Sequence, residues 1–121
     1  MPGTCFLALS AHIPSFSAAY ERGEVWEGLS LPLGFTPAEL ARAQGRPQGL
    51  AARWAAKVAA ARLSALPWWR FEVQVEPSGA PLLVCLEPGG AGAWRVSLTH
   101  EGEVAAAWVM WGRGAEIDEL D

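Results

Sequence analysis

One lysine stands against eight arginines, and the chain of 121 residues holds only two cysteines and two histidines. Cys5 and Cys85 are too few for a disulfide framework, and both are expected as small buried apolar residues. A zinc site needs about four clustered ligands, and His12 and His100 are the only imidazoles, so no metal site is expected. No apolar run approaches the ~18 residues of a membrane span. The segment from Met1 to Leu9 has no basic stretch ahead of its apolar residues and does not read as a signal peptide. Thirteen acids against nine bases leave a net charge of −4, which argues against a general nucleic-acid binder. With 51% hydrophobic and 18% charged residues, the chain is not a disordered tail either. One globular domain over residues 1–121 is expected, cytoplasmic, with neither membrane nor nucleic acid as partner.

What is present has a clear order. An apolar run, Thr4 to Ser10, reads as a buried first strand broken at Pro14. Ser15 to Val25 carries a weak helical pattern through Phe16, Ala19 and Tyr20. Thr36-Pro37-Ala38-Glu39 is a strong helix start. The Thr36 hydroxyl can accept from the Glu39 amide, Glu39 can reach back, and Pro37 sits where its missing donor does no harm. That helix is expected to end at Gly45. A second helix spans Gly49 to Ala65, stopped by Pro67, with a buried stripe of Leu50, Trp54, Val58, Ala61 and Ala65. The period then changes to two: Phe71, Val73 and Val75 alternate with Glu72, Gln74 and Glu76. Pro81–Glu87, Trp94–Thr99 and Val104–Trp111 follow across turns and predict a β-meander. The acidic end, with Glu116, Asp118, Glu119 and Asp121, is expected to fray.

Charge is unevenly placed. Between Ala41 and Arg70 the chain carries Arg42, Arg46, Arg53, Lys57, Arg62 and Arg70 without one acid. Such a run is either a solvated face that pairs with acids elsewhere or a seat for an anion. Seven tryptophans are many for this length and are expected in the core or a subunit interface, with Trp68, Trp69 and Trp111 as possible pocket walls. His12 shows no partner in the sequence and reads as structural.

Three blocks carry a resemblance. Arg53-Trp54-Ala55-Ala56-Lys57-Val58-Ala59-Ala60-Ala61-Arg62 is similar to the R-[FW]-A-x-K-E-x-x-x-K helix of the holo-acyl-carrier-protein synthases, the small bacterial 4′-phosphopantetheinyl transferases. Ser78-Gly79-Ala80-Pro81 sits where that family has its G-K-P turn. Val96-Ser97-Leu98-Thr99-His100, followed by Val104 to Ala107, resembles its V-S-[IL]-[ST]-H…A-A-A segment. Thr36 to Leu40 also looks like the family's [FL]-T-x-x-E helix start. Order, spacing and length agree over nearly the whole chain. The resemblance implies an α+β, 4′-phosphopantetheinyl transferase-like fold, with an antiparallel sheet packed on the long helix, assembled as a homotrimer.

The family moves phosphopantetheine from coenzyme A to a serine of the acyl carrier protein. Magnesium, held by an aspartate of the first strand and the glutamate of the K-E pair, neutralises the pyrophosphate. By the same resemblance, Leu9 stands in place of that aspartate and Val58 in place of that glutamate. Arg62 replaces the second lysine, and Ala80 replaces the lysine of G-K-P. Retained are Arg53, Lys57, Gly79, Pro81, Ser97 and His100. The magnesium site is read as lost, and no cofactor is expected.

Losing one electrostatic stabiliser commonly costs about 10²- to 10³-fold in rate, so phosphopantetheinyl transfer is expected to be absent. Whether the chain is an enzyme stays open at this point. One reading is a repurposed enzyme with Leu9 and Val58 flooring an apolar pocket for an acyl- or polyketide-derived small molecule. His100 would be its acid–base residue, and Arg53, Lys57, Arg62 and Ser97 would contact substrate or phosphate. A second is a non-catalytic protein that binds coenzyme A or a carrier protein through the same cations. An active transferase with another metal arrangement is the third.

Overall fold

The computed structural model describes residues 5–87 and 93–112. The acidic end, and the glycine-rich stretch between the strands that end at Cys85 and begin at Ala93, lie outside the described residues. The organising element is helix α3, Pro47–Ser64, flanked by α1 (Ile13–Glu21) and α2 (Pro37–Ala43). Alanine is the best helix former, Pro47 occupies the first turn, and Ala65 closes the helix in a left-handed cap at φ 60°. Strands β1 (Cys5–His12), β6 (Ala93–Glu101) and β7 (Val104–Gly112) form an antiparallel sheet in the order β1-β7-β6. Strands β4 (Phe71–Val75) and β5 (Pro81–Cys85) make a separate hairpin, and Val25–Trp26 (β2) pairs with Leu29–Ser30 (β3).

The α+β architecture and the long helix are as expected. The continuous meander is not: β5 and β6 share no ladder, and β4–β5 closes on itself as a two-stranded sheet. The β2–β3 hairpin was not anticipated. Its turn places Glu27 and Gly28 at φ 46° and 98°, a geometry that glycine supplies cheaply.

Burial on α3 exceeds the expected stripe. Ala51, Ala56, Ala59 and Ala60 have no exposed surface, because the three-stranded sheet covers one side while α1, α2 and β4 cover others. Ala65, expected at the end of the stripe, is the exposed cap instead. Two apolar clusters divide the helix. One gathers Ala11, Phe16, Phe35, Leu50, Val58 and Trp68, and the other Phe71, Val73, Leu83, Trp94 and Val109. Cys5 is exposed and Cys85 half-buried, so neither thiol is the fully buried apolar residue expected.

At the helix start the expected capping box is formed. Thr36 Oγ1 accepts from the Glu39 amide at 3.2 Å, and Glu39 Oε1 accepts from the Thr36 amide at 3.0 Å. Among the described residues no helix is long and apolar enough to cross a membrane.

Candidate functional site

Lys57 has no exposed surface. Its ammonium donates to Glu39 Oε1 at 2.7 Å and to the Gly34 carbonyl, and it lies 4.8 Å from the centroid of the Phe35 ring. Glu39 spends its other oxygen on the Val73 amide at 2.8 Å. Burial pushes the Lys57 ammonium below its ordinary value, and the neighbouring Glu39 carboxylate opposes that shift. The role of phosphate ligand expected for Lys57 does not suit this environment. The residue is an internal tie between α2, α3 and β4.

The basic run divides cleanly. Lys57 pairs with Glu39, Arg62 with Glu27 at 2.6 Å, and Arg70 with Glu87 at 3.2 Å. The other three cations have no carboxylate within ion-pair distance among the described residues. Arg42 lies in the last turn of α2, Arg46 precedes α3, and Arg53 lies in its second turn; together with Val75 and Gly79 they line an open basin of about 580 Å³. Arg53 Nη1 donates to the Gly49 carbonyl at 3.0 Å, while its Nε is buried without a partner. Burial lowers the affinity of its guanidinium for the proton. Glu39 offsets part of that, and Arg42 adds to it. Arg62, expected beside Arg53, belongs instead to the tether between α3 and the β2–β3 hairpin.

Leu9 and Val58 do come together, but in the core. Val58 is 4% exposed and packs in the cluster with Ala11, Phe16 and Ala61, against which Leu9 and Trp54 also pack. The expectation that Val58 faces a guest is therefore corrected. These two side chains offer no donor to magnesium, and the described residues contain no group of three or more His, Cys, Asp or Glu able to hold a metal ion. Leu9 and Val58 themselves do not fit that ion.

His100 and Ser97 stand apart from each other. Ser97 pairs with Trp108 and His100 with Ala105, so an odd separation along β6 sends their side chains to opposite faces of the sheet. Both are exposed. Neither lines the arginine basin.

Sequence reasoning missed a second cavity. Phe16, Val25, Trp26, Leu31 and Trp54 wall a pocket of about 290 Å³ beside the free edge of β1, and His12 and Ser15 contribute to its lining. The hairpin that brings Trp26 there had not been recognised, which hid the pocket.

The fold is that of the small synthases that make holo-acyl-carrier proteins. A coenzyme A complex of Helicobacter pylori holo-[acyl-carrier-protein] synthase superimposes with a TM-score of 0.76 at 17% identity, covering 89% of this chain and 100% of that one. The Mycobacterium tuberculosis acyl carrier protein synthase gives a TM-score of 0.63 at 29% identity, covering 92% and 96%. The holo-[acyl-carrier-protein] synthase of Frankia alni is 40% identical over 94 residues, 69% of this chain and 77% of the relative. No protein-family profile matches the chain. The chain belongs to the holo-[acyl-carrier-protein] synthase family.

One expectation is overturned by these likenesses. The cofactor expectation was none, yet solved members of this fold, from Helicobacter pylori and Chronobacterium ammoniagenes among others, are coenzyme A complexes. The orphaned Arg53 Nε, with Arg42 and Arg46 beside it, fits the anionic chemistry of such a ligand.

Proposed function

We propose that this chain binds coenzyme A and does not transfer phosphopantetheine. The carrying observation is the basin of Arg42, Arg46 and Arg53, three cations on one acidic protein with no ion-pair partner among the described residues. Guanidinium groups match phosphate oxygens in pairs, and a phosphate would give the buried Arg53 Nε an acceptor. Coenzyme A carries a terminal ribose phosphate suited to such a seat. The aliphatic pair Leu9 and Val58 supports the second half of the proposal, since neither position offers a carboxylate to share a magnesium ion with the pyrophosphate. The reading in which His100 converts an apolar guest over Leu9 and Val58 draws no support from a Val58 that is buried in the core cluster.

A homotrimer remains part of the proposal. It is supported by the outer face of the three-stranded sheet. Phe6 pairs with Met110 and Ala8 with Trp108, and the Phe6 and Trp108 rings stack at 6.1 Å with Phe6 66% exposed. An apolar sheet face of this kind calls for a partner surface, here a further copy of the chain.

Calorimetric titration with coenzyme A, adenosine 3′,5′-bisphosphate and dephospho-coenzyme A tests the binding. The first two should bind and the third, lacking the ribose phosphate, should bind at least tenfold more weakly. Arg53→Ala should abolish the difference. Equal affinity for all three ligands would remove the arginine basin from the proposal. Incubation with coenzyme A, magnesium and several apo carrier proteins, followed by mass spectrometry, should show no carrier modification.

A further inference from the structure

We propose that Ser15, His12 and Glu103 form a nucleophile, base and orienting carboxylate, and that the adjoining aromatic pocket seats the acyl group of an ester or thioester that they hydrolyse. His12 Nδ1 lies 2.6 Å from Ser15 Oγ, and His12 Nε2 lies 3.4 Å from Glu103 Oε2. With Nδ1 accepting from the serine hydroxyl, Nε2 keeps its hydrogen and donates to Glu103. This is the hydroxyl–imidazole–carboxylate order of covalent acyl transfer, recognised by geometry and role. The carboxylate contact is long, as such contacts are before substrate tightens them.

His12 occupies the N-cap position of α1, yet its side chain makes no capping bond. Its ring turns to Ser15, three residues on, and to Glu103, ninety-one residues away. The Ile13 amide donates to the Glu103 carbonyl at 2.7 Å, which holds the β6–β7 turn against the start of α1 and sets the carboxylate beside the imidazole.

The pocket supplies the substrate class. Phe16, Val25, Trp26, Leu31 and Trp54 offer apolar walls around about 290 Å³, room for a short acyl or aryl group, and His12 and Ser15 share that lining. In the first turn of α1 the Ser15 amide has no intrahelical partner, Pro14 has no N–H, and the Ile13 amide is already bonded. The Ser15 N–H is therefore the donor open to a substrate carbonyl oxygen, aided by the positive end of the helix. Solvent reaches the group, with the His12 side chain 52% exposed, and water is the second reactant.

The steps balance. Ser15 Oγ bonds to the carbonyl carbon as its proton passes to His12 Nδ1. The carbon–oxygen or carbon–sulfur bond to the leaving group breaks, and the alcohol or thiol departs with that proton. Water then attacks the acyl-serine, giving its proton to His12, which returns one to Ser15 Oγ as the carboxylic acid leaves. No metal or coenzyme A enters, so the inference stands apart from the binding proposed above.

The test uses the full chain, p-nitrophenyl butyrate, the thioester S-butyryl-N-acetylcysteamine, and a fluorophosphonate that phosphonylates nucleophilic serines by expelling fluoride. A fluorophosphonate adduct mapped to Ser15 is expected. So is ester or thioester hydrolysis that falls to background in Ser15→Ala and by about 10²-fold in His12→Ala, the low end for a general base. Glu103→Gln should lower kcat while leaving KM nearly unchanged. The two substrates decide whether the leaving group is an alcohol or a thiol. No adduct on Ser15, or turnover in Ser15→Ala equal to that of the unaltered chain, overturns the proposal, and the label alone decides should a variant fail to fold.

Discussion

The carboxylate of Glu39 and the ammonium of Lys57 meet 2.7 Å apart with neither side chain exposed to solvent. Each charge is taken out of water and satisfied by several fixed partners: Thr36, Val73 and Lys57 for the carboxylate, Glu39 and the Gly34 carbonyl for the ammonium. Breaking such a pair from one side leaves the other charge buried and alone, which commonly costs about 3–5 kcal/mol.

Lys57→Met should therefore lower the unfolding free energy by about that amount, ~3–5 kcal/mol, measured by urea denaturation. Glu39→Leu with Lys57→Met should recover only part of the loss. Removing both charges still strands the Thr36 and Val73 amides and the Gly34 carbonyl without partners.

Val58→Glu places a carboxyl in the aliphatic cluster at a position only 4% exposed. Burial holds such a carboxyl above the ordinary carboxylate range, so its folded value exceeds its unfolded one. The stability deficit of the variant relative to the unaltered chain should then be smallest near pH 4, where only the cost of burying the neutral group remains, and grow as pH rises through the raised value. Denaturation of both proteins across pH 4–8 checks this. A deficit independent of pH would mean that the carboxyl reaches water.

Gly34 lies under the Trp68 ring. A Cβ there would come 1.9 Å from Trp68 Cη2, and Trp68 is 1% exposed and pinned by its indole N–H to the Trp26 carbonyl at 2.9 Å. Gly34→Ala should cost at least the ~1–3 kcal/mol typical of overpacking, read as a lowered thermal midpoint. The same variant should loosen the pocket wall at Trp26, visible as altered tryptophan fluorescence.

For assembly, sedimentation equilibrium should return a trimer at micromolar concentration. Phe6→Glu puts a charge on the exposed apolar sheet face and should shift the protein to monomer without unfolding it. A monomeric unaltered chain would remove the trimer.

Much of the frame was legible because it rests on local chemistry. The Thr36-Pro37-Ala38-Glu39 start declares its own caps, the alternation through Phe71, Val73 and Val75 declares a strand, and the Arg53 to Arg62 block carries the family. The site was legible only where its members share a segment. Arg42, Arg46 and Arg53 stood out as cations, but which cations of the run remain unpaired depends on Glu27, Glu39 and Glu87, all outside it. Lys57 looked like a ligand because its partner lies 18 residues earlier on another helix. His12 looked partnerless for the same reason, since Glu103 reaches it only through the pairing of the first and last strands. The hairpin holding Trp26 consists of two-residue strands, too short for any alternation to register.

The run of alanines along α3 sets the terms on which this molecule can change. Ala51, Ala56, Ala59 and Ala60 touch neighbours on every side with no surface to spare, so a larger side chain has nowhere to go and a glycine would weaken the helix. Variation is thereby steered outward, to exposed segments such as the turn bearing Glu103. A rigid inner rod of this kind lets peripheral chemistry change in separate steps, because such changes need not disturb the element against which α1, α2, β1, β4, β6 and β7 all pack.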